Sequence, residues 1–313
     1  MKLERGRDIL LFYEKHKWDY VERYSKRSVS GFYSWYLRLC KCLRESGYQV
    51  HENNYSLAEE NPNYPIGIVG TPKCIPGWKL KNPAILGPSM YDHPRINPNL
   101  MKDKRFRYYI VTCKWFKKIF NPYFGNRCVI WNAGIELDEW PDFKKERKTI
   151  DFLVYDKIKW NRDILVPQIL EPILCELRSR NLTFEVLRYG NISHREYKDA
   201  LARSRSMLFM CEYETQGMAY QEALACNLAV LAWDFGYWTD PQWQVYCDKP
   251  IRATSVPYFS PQCGARFKSV SDFPKILDKF LNEGQKFMPR EFIEKDMSLR
   301  QSAEKYVKLY FSI

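Results

Sequence analysis

Two apolar runs of strand length, Ser206-Met-Leu-Phe-Met-Cys211 and Ala229-Val-Leu-Ala-Trp233, bracket a stretch with helical character. Runs of large apolar side chains without alternation belong to strands buried on both faces, which means a parallel sheet covered by helices. The stretch between them is Glu214-Thr-Gln-Gly217-Met-Ala-Tyr-Gln-Glu222-Ala-Leu-Ala-Cys-Asn227. It carries a glycine where the helix should begin and an asparagine where it should end. A strand feeding a glycine-containing helix start suits an anion. Free backbone N–H groups and the positive end of the helix dipole converge there, and glycine permits close approach.

Two carboxylates accompany that anion site. Glu214 falls in the loop at the strand end, and Glu222 falls about a turn and a half into the helix, on the side that reaches back to the same crevice. Carboxylates beside a bound anion repel it, so their task there is to accept hydrogen bonds from hydroxyls. Hydroxyls next to a diphosphate describe a nucleotide sugar. The same spacing also fits an ordinary amphipathic helix with a solvated acid at each end.

The rest of the chain alternates in the same way. Asp8–Tyr13 reads as a first strand, a polar basic stretch runs to Ser30, Phe32–Ser46 reads as an amphipathic helix, and Tyr48–Glu52 as a strand. Residues 59–105 are rich in Pro, Asn and Gly, with short strands expected at Ile66–Val69 and Ala84–Leu86. Arg107–Thr112 and Arg127–Trp131 are clearer strands joined by a helix over 113–121. Ile150–Tyr155 opens a second series: helix 163–180, strand Thr183–Leu187, helix 193–203, then the segment described above and a long final helix over about 289–311. Such βα repetition argues for doubly wound parallel sheets with sites at the carboxyl ends of strands. At 313 residues, two domains are expected.

The Glu214 to Glu222 segment resembles the Glu-x7-Glu motif of the family 4 type of retaining glycosyltransferases, which have the GT-B fold. The likeness includes Gly217 and Glu222-Ala-Leu-Ala-Cys, similar to the family's Glu-Ala-Met-Ala-Cys-Gly. The chain departs from the family's Glu-Gly-Phe-Gly with Glu214-Thr-Gln-Gly217, and from Gly-x-Pro-Val with Asn227-Leu-Ala-Val230. Asn132-Ala-Gly134-Ile-Glu136 is similar to the family's Asn-Gly-Val-Asp turn, with an alanine inserted.

The resemblance implies two Rossmann-like doubly wound domains facing a central cleft. Residues 1–136 would form the acceptor-side domain, 137–149 a linker and 150–288 the nucleotide-sugar domain, with 289–313 crossing back to the first domain. Glu214 would hold sugar hydroxyls at the reacting carbon and Glu222 the ribose, while Gly217 and Met218 face the diphosphate or the sugar. Lys157 and Arg162 would grip the diphosphate, in reverse order to the family's Arg and Lys, with Lys159 as a substitute. Such cations stabilise a departing nucleoside diphosphate without a metal. His93 would reach the transferred sugar, with Asp92 beside it as a polar contact or an acceptor-side base; a loop His before Pro94 is the simpler reading of the same residues. Tyr189 and Gly190 would border the nucleobase, or form an ordinary turn. Gly31 would admit a phosphate at the first helix, or simply serve a turn. The expected donor is a UDP- or GDP-sugar, with no cofactor and no metal.

Charge adds an acceptor. Residues 1–149 carry 27 Lys and Arg against 16 Asp and Glu, and the remainder 22 against 21, for a net charge of +12. A basic first half implies an anionic partner: a glycan, a lipid-linked acceptor or an anionic membrane surface. A glycosyltransferase acting on DNA, or a polyanion- or sugar-binding protein without activity, are the alternatives. No stripe of Arg and aromatic residues on one helix supports nucleic acid as a partner. The ten cysteines show no Cys-x-x-Cys pair, which points to a reducing cytosol. No apolar run is long enough to cross a membrane, and the charged N-terminus is unlike a secretory leader, so a cytoplasmic location, at the membrane surface for a lipid-linked acceptor, is expected.

Overall fold

A computed structural model of the chain describes residues 3–15, 31–70, 75–88 and 90–313, without the side chain of Phe32. The basic stretch before Ser30 lies outside the described residues from position 16 onward. The described residues divide into two units, one comprising 3–134 with 297–313 and the other 135–296.

The first unit runs β1 (Asp8–Tyr13), α1 (Gly31–Glu45), β2 (Gln49–Glu52), α2 (Tyr55–Glu60), β3 (Ile66–Val69), β4 (Ala84–Leu86), β5 (Phe106–Val111), α3 (Lys114–Phe124) and β6 (Cys128–Ile130). All six strands pair in parallel in the order β2-β1-β3-β4-β5-β6. Every residue of β1, β3 and β4 is buried, as strands covered on both faces must be. Helix α2, not anticipated from the sequence, lies between β2 and the Pro-, Asn- and Gly-rich stretch, its first turn capped by Asn54 accepting from Leu57 N–H.

The second unit runs β7 (Ile150–Asp156), α4 (Arg162–Leu165), α5 (Glu171–Ser179), β8 (Phe184–Arg188), α6 (His194–Arg203), β9 (Ser204–Met210), α7 (Met218–Ala225), β10 (Ala229–Trp233), α8 (Pro241–Gln244), β11 (Gly264–Phe267), α9 (Phe273–Glu283) and α10 (Pro289–Asp296). Its five parallel strands lie in the order β11-β10-β9-β7-β8. Read from its own first strand, this is the order 2-1-3-4-5, which the first sheet also follows. In both, the direction of winding reverses beside the first strand. Chains leave the carboxyl ends there in opposite directions and open a crevice. Helix α6 starts on a reciprocal cap, Ser193 accepting from Glu196 N–H while the Glu196 carboxylate accepts from Ser193 N–H. The stretch 137–149 lies on this unit, with Trp140 buried and Phe143 N–H donating to Cys226 O (3.1 Å).

Two expectations about helices require correction. The helix anticipated over 163–180 is α4 and α5 joined by a wide turn, Val166–Leu170, with i→i+5 spacing. Pro167 and Pro172 withdraw two backbone donors there, so a regular ladder cannot pass. The single helix anticipated over 289–311 is α10 followed by α11 (Leu299–Tyr310). Ser298 ends the run by taking an extended backbone and capping α11, its hydroxyl accepting from Gln301 N–H.

Helix α11 belongs to the first unit and packs on α1, burying Ala303, Tyr306 and Tyr310. Tyr310 Oη accepts from Leu10 N–H at 2.8 Å and donates to Pro65 O. Gly134 explains itself here: a Cβ would lie 2.6 Å from Leu299 Cα, so the start of α11 requires the missing side chain. Among the described residues there is no disulfide, and no helix is long and apolar enough to cross a membrane.

Candidate functional site

The winding of the second sheet reverses between β7 and β9, so the loops leaving those two strands flank the crevice. The β7 loop carries Lys157 and Lys159, the β9 loop carries Glu212 and Glu214, and neighbouring β8 delivers Tyr189.

Lys157 and Glu214 form a salt bridge, each side chain only 11% exposed. Burial opposes both charges. The pair overcomes it, so the Glu214 carboxyl lies below its ordinary range, held down by Lys157 and then Lys159, and the Lys157 ammonium lies above its own. Lys157 Nζ also sits 4.5 Å from the centre of the Tyr189 ring and Lys159 Nζ 5.6 Å, while that ring is half exposed. Two ammonium groups and an aromatic face thus meet beside a buried carboxylate. Cation–π attraction holds the lysines near the ring without neutralising them.

Helix α7 begins at the same edge. Gly217 adopts φ +78°, and a Cβ there would come within 2.3 Å of the Tyr220 ring, so only glycine turns this corner without displacing the tyrosine. No side chain caps the helix start, which opens with Met218. Tyr220 is pinned from behind, its hydroxyl accepting from Tyr258 N–H (3.2 Å) and from Gln221 Nε2 (3.2 Å). Glu222, 9% exposed, lies in the second turn of α7 toward Tyr155 and Tyr197. Burial pushes both phenols up, and the charge of Glu222 adds to that in each.

Arg162 is engaged within its own loop. It donates to both Asp156 oxygens (2.9 and 2.7 Å) and to Ile158 O (2.6 Å). Its bond to Asp156 raises its pKa, and its charge is balanced where it stands. Lys159 is the exposed cation of the loop, while Arg162 braces it. Gly190 follows Tyr189 in a turn at φ +86°, with no atom where its side chain would lie.

The remaining candidates lie in the first unit. His93 follows β4 and is buried; its Nδ1 accepts from Arg95 N–H (3.1 Å). Burial first, and then the charge of Arg95, lower its pKa, so the ring is neutral near pH 7. Asp92 beside it is exposed. Gly31 opens α1 with open space where a side chain would be, and no close approach calls for a glycine there.

Sequence reasoning passed over Glu212, Tyr213, Trp160 and Asp240. Trp160 Nε1 donates to Tyr213 Oη (3.3 Å), which donates to Asp240 (3.1 Å), joining three loops of the carboxyl edge. Glu214 N–H donates to Thr254 O (3.0 Å), bringing in the long β10–β11 connection. No sequence signal marked these residues, because their contacts join loops far apart in the chain and the 30-residue β10–β11 connection ends at a strand too short to read from sequence. Among the described residues no group of three or more His, Cys, Asp or Glu side chains is gathered as for a metal ion. Chemically, the edge offers the Lys157 and Lys159 ammonium groups and a helix start for an anion, and shielded carboxylates for hydroxyls.

No known family model matches this chain, and no curated protein matches it in sequence. Solved structures do match its shape. Sucrose-phosphate synthase from Thermosynechococcus elongatus is similar with a TM-score of 0.62 at 11% identity, covering 98% of each chain. The lipopolysaccharide outer core galactosyltransferase WaaB is similar at 0.61 and 9% identity, covering 97% of this chain and 99% of that one. TarM of S. aureus, crystallised with UDP, alpha-GlcNAc-glycerol and fondaparinux, reaches 0.57 at 13% identity over 87% of this chain; the chain spans 58% of TarM. What is shared is the fold: two parallel-sheet α/β domains of the GT-B type.

Proposed function

We propose that this chain is a retaining glycosyltransferase that takes a sugar from a nucleotide-sugar donor held at the carboxyl edge of its second sheet. The observation that carries the reading is the buried Lys157–Glu214 pair at the winding reversal, with Lys159 and Tyr189 against it and α7 starting at Gly217. The GT-B fold shared with glycosyltransferases supports it.

In this reading the donor diphosphate draws on Lys157, Lys159 and the amides from Gly217 and Met218 onward. Glu222 accepts from the ribose hydroxyls and Glu214 from hydroxyls of the sugar, while Tyr189 borders the base. The bond from the anomeric carbon to the phosphate oxygen breaks, and a bond from that carbon to the acceptor oxygen forms on the same face. The acceptor proton passes to the leaving phosphate, so no protein nucleophile is needed. Lysines that stabilise the developing diphosphate charge accelerate the step, because that charge is larger in the transition state than before it. The acceptor is anionic, a glycan or lipid-linked group matched to the basic first unit, where residues 92–127 hold nine Lys and Arg against two Asp.

The test is thermal unfolding of the wild-type protein and Glu222→Ala with UDP, GDP, ADP and CDP. One base should raise the melting temperature of the wild type by mass action and do so less for the variant. Stabilisation by none of the four, with the protein demonstrably folded, would sink the donor reading.

A further inference from the structure

Glu212 precedes Glu214 by two residues and is 1% exposed, which for a carboxylate demands partners. Its partners are backbone. Lys159 N–H donates to both of its oxygens (3.0 and 3.1 Å), and Trp160 N–H donates to one of them (2.9 Å). These bonds cross from the β9 loop to the β7 loop, between residues more than fifty positions apart in sequence.

The β7 loop is held at successive points. Lys157 N–H donates to Met210 O (2.8 Å), Ile158 N–H to Asp156 (3.1 Å), and the next two amides to Glu212. Arg162 closes the loop onto Asp156 and Ile158 O, and the Trp160 indole is tied to Tyr213. Lys157 and Lys159 therefore leave a fixed backbone, two residues apart, and their ammonium groups meet at the Tyr189 ring. Remove the acceptor at 212 and two amides lose their partner in the middle of this loop. The lysines would then be set by their own flexible stems. Glu212 is not placed to react, since its oxygens are committed to amides. Burial pushes its carboxyl up, and the amides of Trp160, of Glu212 itself and of Lys159 pull the other way.

We propose that Glu212 is a positioning residue for diphosphate binding: a buried acceptor that fixes loop 157–161 so that Lys157 and Lys159 converge on one anion. The inference rests on the donor reading above and adds to it a residue that never touches the ligand. What matters in this role is the reach of the acceptor rather than its charge. Glu212→Gln keeps the oxygen that serves Lys159 and Trp160, whereas Glu212→Asp keeps the charge and withdraws the oxygens by about 1.5 Å.

The experiment is calorimetric titration with the diphosphate and monophosphate of whichever base stabilises the wild type, using both variants, each checked for folding by circular dichroism. Glu212→Asp should lose about tenfold in diphosphate affinity, the order of loss expected from a displaced binding group, with the monophosphate changing much less. Glu212→Gln should stay close to wild type for both. A merely structural role would lower melting temperature and weaken both nucleotides alike in Glu212→Asp, which overturns the proposal. So does an unchanged diphosphate affinity in Glu212→Asp, or the larger loss falling on Glu212→Gln. If the wild type binds no nucleoside diphosphate, the donor reading fails first. If it binds and Glu212→Asp binds equally well, only this inference fails.

Discussion

Gly217 and the Lys157–Glu214 pair are where single substitutions speak most clearly. Gly217→Ala forces a left-handed backbone on an alanine and drives its Cβ into the Tyr220 ring, so a loss on the order of 1–3 kcal/mol is expected in urea unfolding. A variant as stable as the wild type would mean the corner relaxes freely. Lys157→Met strands a buried carboxylate and should cost about 3–5 kcal/mol, whereas Lys157→Met with Glu214→Leu should recover most of it. The pair also fixes a pH dependence. Glu214 is held below its ordinary 4.5, so its contribution is complete above that value and is lost as pH falls through the lower folded value. Lys157 is held above its ordinary 10.5, so its contribution is complete below that value and is lost as pH rises through the folded one. Acid and base unfolding curves of the double variant should lack both losses. Their persistence would show that other groups govern them.

At the scale of elements, α11 completes the first unit through one phenol. Tyr310→Phe leaves the Leu10 N–H and Pro65 O of the sheet without their shared partner and should cost about 1–3 kcal/mol. A chemical denaturation midpoint equal to that of the wild type would contradict it. The strands were legible in the sequence because burial on both faces demands continuous apolar runs, as in Ile150–Tyr155 and Ser206–Cys211. The helix interruptions were harder to read. Ser298 with Gln301 three residues on is a cap signature inside an otherwise periodic stretch, and periodicity masked it. Strand β11 has only four residues of mixed polarity, too few for any pattern. Lys157, Glu214 and Glu222 were named through the family resemblance rather than from spacing alone, and the structure brings Lys157 and Glu214 together. The service of Glu212 to Lys159 and Trp160 could not be named in advance, because tertiary pairing alone brings those loops together.

At the scale of the molecule, charge and chain path each make a statement. The first unit exposes Lys102, Lys104, Arg107, Lys114, Lys118 and Arg127 within one stretch, with Lys117 half-buried on the same helix as Lys114 and Lys118. Sedimentation with vesicles should therefore show binding that needs anionic phospholipid and fades as salt rises. Changing Lys114, Lys117 and Lys118 to Gln should weaken it by roughly fivefold per residue. Equal binding to neutral vesicles would remove the electrostatic explanation. The return of α11 to the first unit has a different consequence, one of timing. Residues 135–296 are contiguous and can complete their sheet as soon as they leave the ribosome. The first unit, though made earlier, waits for Ala303, Tyr306 and Tyr310 before its interior is closed. The part of the chain that is born first is thus the last to mature, and a chain halted after Asp296 should yield to protease in its first half while its second half resists.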